Sequence, residues 1–229
     1  MSEQVDKIFS DIAPRYDATN YAISFGLVDH MRHQTVKYAS PKPGESVIDC
    51  ACGTGELTVL FKEAVGPTGR VLATDVNPDM MELAPPKARR RGMDIEWDVQ
   101  DAMDLDVEDD AFDIASIAWG VRNVDEPAQC LSELARVVRP GGRVAILEFG
   151  QPHEALRPLY ELYNRVLLPV IGGWVSGSRE AYDYLQRTSD AFPSGDDFVA
   201  MMEDTHAYRS VEAYPIVGGI NYVYIGWVA

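Results

Sequence analysis

The fold of this chain is decided by the stretch from Glu45 to Leu57, which reads ESVIDCACGTGEL. Its apolar run, Val47 to Ala51, predicts a buried strand, and the pattern that follows Gly55 predicts a helix. The glycines between them let the backbone turn tightly and approach a ligand where a side chain would block it. A second apolar run ends at Asp75, a position where an acid holds the hydroxyls of a nucleotide ribose. The stretch therefore predicts a site for an adenosine-containing cofactor.

The spacing of the glycines indicates which cofactor this is. A dinucleotide fingerprint has a third glycine for close helix–strand packing beside a pyrophosphate, and Thr58 stands in its place here. This weakens the case for NAD or FAD and favours S-adenosylmethionine, which carries no phosphate. The alternative is an ordinary strand–turn–helix whose glycines serve geometry alone.

Composition predicts one globular domain that does not bind nucleic acid. Apolar residues make up 46% of the 229 residues, as in a chain that forms a core. The 36 acidic residues outnumber the 20 Lys and Arg, and the phosphates of a nucleic acid need the opposite balance. Only five of the basic residues are lysines. This bias favours adaptation to high salt, because salt screens the self-repulsion of an acidic surface. A merely acidic cytosolic protein is the alternative.

The three cysteines, Cys50, Cys52 and Cys130, predict neither a disulfide framework nor a metal site. No His or Cys pair is placed to complete a zinc site beside the first two. The polar N-terminus shows no signal-peptide pattern. The longest nearly apolar stretch, Val166 to Val175, is far shorter than the ~20 residues needed to span a bilayer. The sequence therefore predicts a cytoplasmic protein.

Strands and helices alternate through the middle of the chain, which predicts a parallel sheet with helices on both faces. The predicted strands cover 46–51, 70–74, 94–98, 112–118 and 143–149, with helices at 55–64, 78–91 and 126–137. Pro85-Pro86 should kink or end the second of these helices. Ligands of such sheets bind beyond the carboxyl ends of the strands, where the glycine turn and Asp75 lie.

Four segments make up the single predicted domain: an N-terminal helical cap over 1–40, a cofactor-binding core over 45–150, a helical insertion over 151–205 and C-terminal strands over 206–229. The insertion contains predicted helices at 154–171, 179–189 and 195–204 and caps the site. Predicted strands at 208–216 and 219–228 form a hairpin that closes one edge of the sheet. The predicted fold class is α/β: a Rossmann-like, doubly wound, mostly parallel sheet with an antiparallel C-terminal hairpin and a helical cap.

Polar residues follow the third and fourth core strands at the same edge of the sheet. Asp101 can accept a hydrogen bond from the amine of an adenine, while Ala102 or Met103 packs on the ring. A solvated acid in an acidic loop is the alternative for Asp101. Arg122 and Asn123 come directly after the fourth strand, in the crevice that faces a substrate. A loop contact or a helix cap is the alternative for these two.

Three further segments carry a recognisable signature. They are YDATNYAISFG at 16–26, GVRNV at 120–124, and RVVRPGG at 136–142 with LEF at 147–149. Together they resemble the ubiquinone/menaquinone biosynthesis C-methyltransferases, and the resemblance covers nearly the whole chain. The first two segments are the specific ones, since Arg-Pro-Gly-Gly is common to many methyltransferases. Departures from the family pattern include Thr19 in place of Met and Cys52 in place of Gly.

The resemblance implies a class I methyltransferase fold, S-adenosylmethionine as cofactor and no metal. The residues expected to bind the cofactor are Asp49, Ala51, Gly53, Thr54, Gly55, Asp75, Val76, Asp101, Ala102 and Trp119. The residues expected to act in catalysis are Arg122, Tyr16 and Asn123. Because an arginine stays protonated, Arg122 is expected to stabilise charge on the acceptor, directly or through a water, and not to remove a proton.

The implied reaction is C-methylation of a lipophilic, polyprenylated quinol, with demethylmenaquinol as the first choice of acceptor. Val28 and Met31 stand where the family usually has His and Trp, which leaves the acceptor open. Methyl transfer to another small phenolic or lipid acceptor is one alternative. A non-catalytic methyltransferase-fold scaffold in quinone biosynthesis is the other. Transient peripheral contact with the inner face of the membrane, through the cap, is expected, and a homodimer is left open.

Overall fold

The computed structural model describes residues 3–163, 165, 188–189 and 192–229. Within them the chain forms one seven-stranded sheet. Its strands are β1 (Val47–Cys50), β2 (Val71–Asp75), β3 (Glu96–Val99), β4 (Phe112–Ala118), β5 (Val138–Phe149), β6 (Tyr208–Ile216) and β7 (Asn221–Val228). They are ordered β3-β2-β1-β4-β5-β7-β6 across the sheet. Pairing is parallel from β3 to β5 and antiparallel on both sides of β7. This confirms the predicted α/β fold class.

Nine α-helices lie wholly within the described residues. They are α1 (Glu3–Ile12), α2 (Tyr16–Ile23), α3 (Leu27–Ala39), α4 (Glu56–Val65), α5 (Pro78–Glu82), α6 (Pro85–Arg90), α7 (Pro127–Arg136), α8 (Arg157–Leu162) and α9 (Asp196–Asp204). Of the helix predicted at 154–171, residues 154–163 and 165 are described, and α8 covers 157–162. The predicted helix at 179–189 lies almost wholly outside the described residues. None of the helices in the described ranges has the length and apolarity to cross a bilayer.

The helix predicted over 78–91 is broken at the place that its two prolines indicate. Helix α5 ends at Glu82, and α6 begins at Pro85. Proline is tolerated at the first position of a helix because an N–H there would have no helical acceptor. The break buries Ala84 completely. That residue packs against the glycine turn after β1, so the break contributes directly to the site described below.

Strand β5 begins five residues earlier than predicted. Val138 pairs with Phe112, and Arg143 pairs with Ile114, so residues 139–142 bulge opposite a single residue of β4. The Arg-Pro-Gly-Gly segment is therefore an irregularity within the strand and not a turn before it. The C-terminal hairpin is present as predicted, and its second strand, β7, is the one that pairs with β5.

Both faces of the sheet are covered by apolar side chains. Ile48 and Ile146 belong to the core on one face, and Val47 and Leu147 belong to the core on the other. Burial on both faces explains why the parallel strands read as continuous apolar runs in the sequence. The carboxyl ends of β1, β2 and β4 remain as the edge at which polar loops meet.

Candidate active site

A cleft of about 670 Å³, including its solvent-open mouth, lies at the carboxyl ends of β1, β2 and β4. Nine of the thirteen predicted site residues line it, namely Tyr16, Ala51, Gly53, Asp75, Val76, Asp101, Ala102, Trp119 and Asn123. The other four, Asp49, Thr54, Gly55 and Arg122, lie behind this lining.

Two positions in the turn after β1 favour glycine. Gly53 and Gly55 have φ angles of +54° and +79°, in the left-handed region that other residues rarely adopt. A Cβ on Gly55 would lie 2.8 Å from the Cβ of Ala84. The nearest atom to a Cβ on Gly53 would be the Cε of Met80, at 3.3 Å. Gly55 therefore allows close packing behind the turn, and Gly53 keeps the floor of the cleft open.

Thr54 joins this turn to the N-terminal helices. Its buried hydroxyl donates a hydrogen bond of 2.5 Å to Oδ1 of Asp17 in α2. The other carboxylate oxygen of Asp17 accepts a hydrogen bond from Lys87, whose Nζ also donates to Glu56 at 2.7 Å. The side chain of Thr54 thus holds α2 against the turn, and any contact of this residue with a cofactor would come from its backbone.

Asp75 ends β2 and presents its carboxylate at the wall of the cleft. Oδ2 accepts the N–H of Gly53 at 2.7 Å, and Oδ1 accepts the N–H of Asn77 at 2.8 Å. A carboxylate has about four acceptor sites, so about two remain for the hydroxyls of a ribose. Burial raises the pKa of Asp75, and the two N–H donors act in the opposite direction. The two hydrogen bonds hold the carboxylate in one orientation.

Asp49 is buried within β1, behind the cleft. Its Oδ2 accepts a hydrogen bond of 2.5 Å from the hydroxyl of Thr58, and its Oδ1 accepts one from the hydroxyl of Ser116. Burial raises the pKa of Asp49 to about 6, although both hydroxyl donors lower it. In this structure Asp49 links β1 to α4 and β4, and it supports the turn from beneath.

The loop after β3 forms the side of the cleft that was predicted to hold an adenine. Asp101 and Ala102 both line it, and Oδ1 of Asp101 accepts the N–H of Met103 at 3.0 Å. Val76 and Val124 present aliphatic groups to the same space. A carboxylate beside aliphatic walls suits a flat ring that carries an exocyclic amine.

The first helix, which lies within the predicted N-terminal cap, closes the cleft from one side. Phe9 of α1 lines it, as does Asn77, which follows β2. The amide nitrogen of Asn77 donates to Oδ1 of Asp6 at 2.6 Å and to the hydroxyl of Ser10 at 2.9 Å. Its side-chain oxygen caps α5 through the N–H of Met80. Asn77-Pro78 is a visible helix-start signal, but nothing in the sequence indicates that the same amide holds α1.

Two residues in the lining have strained backbones. Ala51 and Trp119, which follow β1 and β4, have φ angles of +48° and +53°. A Cβ on Gly120 would lie 2.8 Å from the side chain of Ile117 and 2.9 Å from the Cβ of Ala51, so the two strand ends approach closely here. Such conformations persist only where the surrounding structure holds them, and they cluster at functional sites.

The three predicted catalytic residues are not brought together. Tyr16 and Asn123 line the cleft, whereas the side chain of Arg122 is only 5% exposed and turns away from it. Nη1 of Arg122 donates to Oε1 of Glu148 at 2.7 Å and to the carbonyl of Trp119 at 2.8 Å. Glu148 belongs to a segment of the sequence signature, yet the sequence does not indicate that it pairs with Arg122.

The lining fits S-adenosylmethionine. It contains two carboxylates, those of Asp75 and Asp101, and none of its described residues is Lys or Arg. A dinucleotide pyrophosphate would face uncompensated negative charge there, whereas a cofactor with a positively charged sulfonium and no phosphate would not. Within the described part of the chain, no cluster of His, Cys, Asp and Glu could hold a metal ion.

Fold and cleft together define a class I methyltransferase that uses S-adenosylmethionine. The chain belongs to the ubiE/COQ5 methyltransferase family, whose sequence profile matches residues 1–228. It is similar to a protein of Bdellovibrio bacteriovorus named ubiquinone/menaquinone biosynthesis C-methyltransferase UbiE. The two are 44% identical over 227 residues, which cover 99% of this chain and 96% of the relative.

Solved structures show the same fold at lower sequence identity. A methyltransferase dependent on S-adenosylmethionine from Aquifex aeolicus superposes with a TM-score of 0.61 at 19% identity, covering 86% of this chain and 89% of that one. Phosphoethanolamine N-methyltransferase 2 of Haemonchus contortus, in complex with S-adenosyl-L-methionine, gives 0.58 at 16% identity, covering 82% and 38%. At these identities the likeness concerns the fold.

Proposed function

We propose that this protein transfers a methyl group to a ring carbon of a polyprenylated quinol, with demethylmenaquinol as the acceptor and menaquinol as the product. One observation carries the proposal. Tyr16 and Asn123 border the same cleft as Asp75 and Asp101, so a hydroxylated ring held by the first pair lies beside a cofactor held by the second. The name of the Bdellovibrio relative, which aligns over almost its full length, supports a quinol of ubiquinone or menaquinone biosynthesis as the acceptor.

In this reaction the main role of the protein is to position the quinol against the cofactor. The bound cofactor supplies an electrophilic methyl group. Loss of a hydroxyl proton places negative charge on the adjacent ring carbon of the quinol, and the cleft must hold that carbon against the methyl group while excluding water. The phenol of Tyr16 and the amide of Asn123 are groups of the lining that can hydrogen-bond the quinol oxygens.

A covalent route through a protein thiol is disfavoured. Cys50 is fully buried in β1, and burial raises the pKa of its thiol well above the ordinary value. Cys130, also buried, has its pKa raised to about 12 for the same reason. Burial also raises the pKa of the Cys52 thiol, in the turn after β1, well above the ordinary value. All three thiols remain protonated near neutral pH and make poor nucleophiles. Direct transfer from cofactor to ring carbon is therefore the route that the site supports.

A direct assay separates the acceptors. Purified protein is supplied with S-adenosylmethionine and, in parallel, demethylmenaquinol, the corresponding ubiquinone-type benzoquinol, and a naphthoquinol without a tail. We expect the fastest C-methylation with demethylmenaquinol. Equal rates on the tail-less compound would favour a small phenolic acceptor. Tight cofactor binding without transfer to any of them would favour the scaffold alternative.

A second proposal concerns contact with the membrane, because a lipophilic quinol must pass from the bilayer to the cleft. Tyr21, Phe25, Leu159 and Leu162 are each more than half exposed. Tyr163 connects the two segments, because its ring lies 6.2 Å from that of Phe25 and its hydroxyl donates to the carbonyl of residue 23. We propose that this apolar rim touches the bilayer in which the quinol is dissolved. The formal charge of −16 argues against attachment through anionic lipids.

Sedimentation with vesicles tests this contact. We expect the protein to sediment with neutral-lipid vesicles that contain menaquinone, and we expect the double variant Phe25→Asp with Leu159→Asp to remain in the supernatant. A matched surface change far from the rim, Val99→Asp in the exposed part of β3, should have no effect. If the unmodified protein also stays in the supernatant, the proposed contact is wrong.

A further inference from the structure

Trp119 is held by hydrogen bonds at every polar group it has. Its backbone N–H donates to the carbonyl of Leu147 at 2.7 Å, and its indole N–H donates to Oδ1 of Asn221 at 2.9 Å. Its carbonyl accepts from Nη1 of Arg122 at 2.8 Å and from Nδ2 of Asn123 at 3.0 Å. A bulky residue at a φ of +53° needs such enforcement, because the left-handed conformation is unfavourable for it.

The hold on the carbonyl depends on a buried carboxylate. Glu148, at the end of β5, is 1% exposed. Its Oε1 accepts from Nη1 of Arg122 at 2.7 Å and from the N–H of Phe149 at 2.9 Å. The guanidinium of Arg122 also stacks on the Phe149 ring, with Cζ 4.8 Å from the ring centroid. Glu148 therefore determines where the guanidinium lies, and the guanidinium in turn bonds the carbonyl of Trp119.

This ion pair is not arranged to satisfy its own hydrogen-bonding groups. Nε of Arg122 and Oε2 of Glu148 are buried and have no hydrogen-bond partner in the described part of the chain. Taking two charges out of water is costly, and an incompletely bonded pair recovers less of that cost. The pair therefore contributes little to the stability of the fold. Its contact with Trp119, a strained residue of the cleft lining, gives it a role in shaping the cleft.

We propose that Glu148, acting through Arg122, is a positioning residue that fixes Trp119 and with it the wall of the cofactor cleft. The proposal assigns Arg122 an indirect role in place of the direct contact with the acceptor that the sequence suggests. The proposal concerns the binding of the cofactor and does not depend on which quinol is the acceptor. Loss of Glu148 should therefore weaken cofactor binding when no acceptor is present.

Calorimetric titration of the full chain with S-adenosylmethionine tests this. We expect Glu148→Ala to raise the Kd about tenfold, because a buried guanidinium loses its partner and no longer holds the carbonyl. Glu148→Gln keeps an oxygen that can accept from Arg122, and it should recover most of the affinity. Glu45→Ala breaks a matched ion pair, Arg143–Glu45, which lies at the other end of the sheet, and should leave the Kd within about twofold.

Indole fluorescence provides a readout that does not depend on turnover. The contribution of Trp119 is obtained as the difference from Trp119→Phe, and Glu148→Ala should change it while Glu45→Ala should not. Where Glu148→Ala does not fold, Asn221→Ala releases the indole and serves as the second variant, with the same expected loss of affinity. An unchanged Kd and unchanged Trp119 emission in Glu148→Ala would overturn the proposal. So would a lower kcat at an unchanged Kd, since that result would assign the pair to the acceptor.

Discussion

Two arginine–glutamate pairs, one partly buried and one buried, lie at opposite ends of the sheet, and they differ in how completely they are hydrogen-bonded. Arg143 and Glu45, at the amino ends of the strands, meet at 2.7 and 3.3 Å, and Nε of the arginine also donates to the carbonyl of Ala39. Every nitrogen of that guanidinium is used. Arg122 and Glu148, at the carboxyl ends, meet through one nitrogen and one oxygen, and each keeps a buried atom without a partner in the described residues.

Each of these arginines also bonds the carbonyl of a left-handed residue. Arg143 holds Ser40 at 2.8 Å, where α3 ends, and left-handed residues are ordinary at helix ends. Arg122 holds Trp119, at a strand end, in the wall of the cleft. One kind of interaction therefore serves two purposes in this fold. It closes the chain at the amino ends of the sheet, and it shapes a binding surface at the carboxyl ends.

The largest effect that would test this contrast is on stability. Arg143→Ala leaves Glu45 without its partner and removes the donors to two backbone carbonyls, so we expect the free energy of unfolding to fall by about 3 kcal/mol. Cofactor affinity should stay within about twofold. Urea denaturation and calorimetric titration measure the two quantities. A loss of stability below about 1 kcal/mol, or a large loss of affinity, would break the distinction between the two ends.

Two carboxylates, those of Asp75 and Asp113, test the same difference between the two ends of the sheet. Asp75→Ala at the cleft removes the acceptors proposed for the ribose, and we expect the Kd for S-adenosylmethionine to rise about a hundredfold. Asp113, near the amino ends, accepts the N–H of Ser46 at 2.8 Å and pairs with Arg139. Asp113→Ala is therefore the matched control, with lower stability and unchanged Kd expected. Equal affinities for the two variants would show that Asp75 does not bind the cofactor.

The pH dependence of stability tests the buried acid between the two ends. The pKa of Asp49 is about 6 in the folded protein and 3.8 unperturbed. A raised folded-state pKa contributes stability below the unperturbed value, and that contribution is lost as the pH rises through 6. Between pH 4 and 7 the loss is about 2 kcal/mol. We expect Asp49→Asn to remove this slope, measured as the difference between urea titrations of the two proteins. Parallel pH profiles would contradict the assignment.

Added salt should have the smallest effect on stability. It should screen the charges of the surface more than those of the two arginine–glutamate pairs. With a formal charge of −16, the protein should gain about 3 °C in Tm as KCl rises from about 0.01 to 1 M, because screening shortens the Debye length from about 30 to 3 Å. The destabilisation caused by Arg143→Ala should be nearly the same at both salt concentrations. A Tm that does not respond to KCl would remove the case for salt adaptation.

The sequence reaches most of the cleft because the relevant signals are local. Gly53 must be small, Asp75 ends one strand and Asp101 follows another, and parallel strands bring their carboxyl ends to one edge. The sequence does not reach the roles of Thr54 and Arg122. Whether a polar side chain points into a cleft or into a neighbouring helix depends on partners 26 or more residues away, and periodicity carries no information about them.

The α/β sheet, its hairpin edge, the position of the cofactor turn and the family all follow from local patterns or signatures in the sequence. Two features depend on the folded chain: Asn77 holds α1 against the cleft, and Glu148 draws Arg122 away from it. Both are long-range polar contacts. Their partners are selected by the packed geometry of the whole fold, because a buried donor must find whichever acceptor that packing leaves within reach.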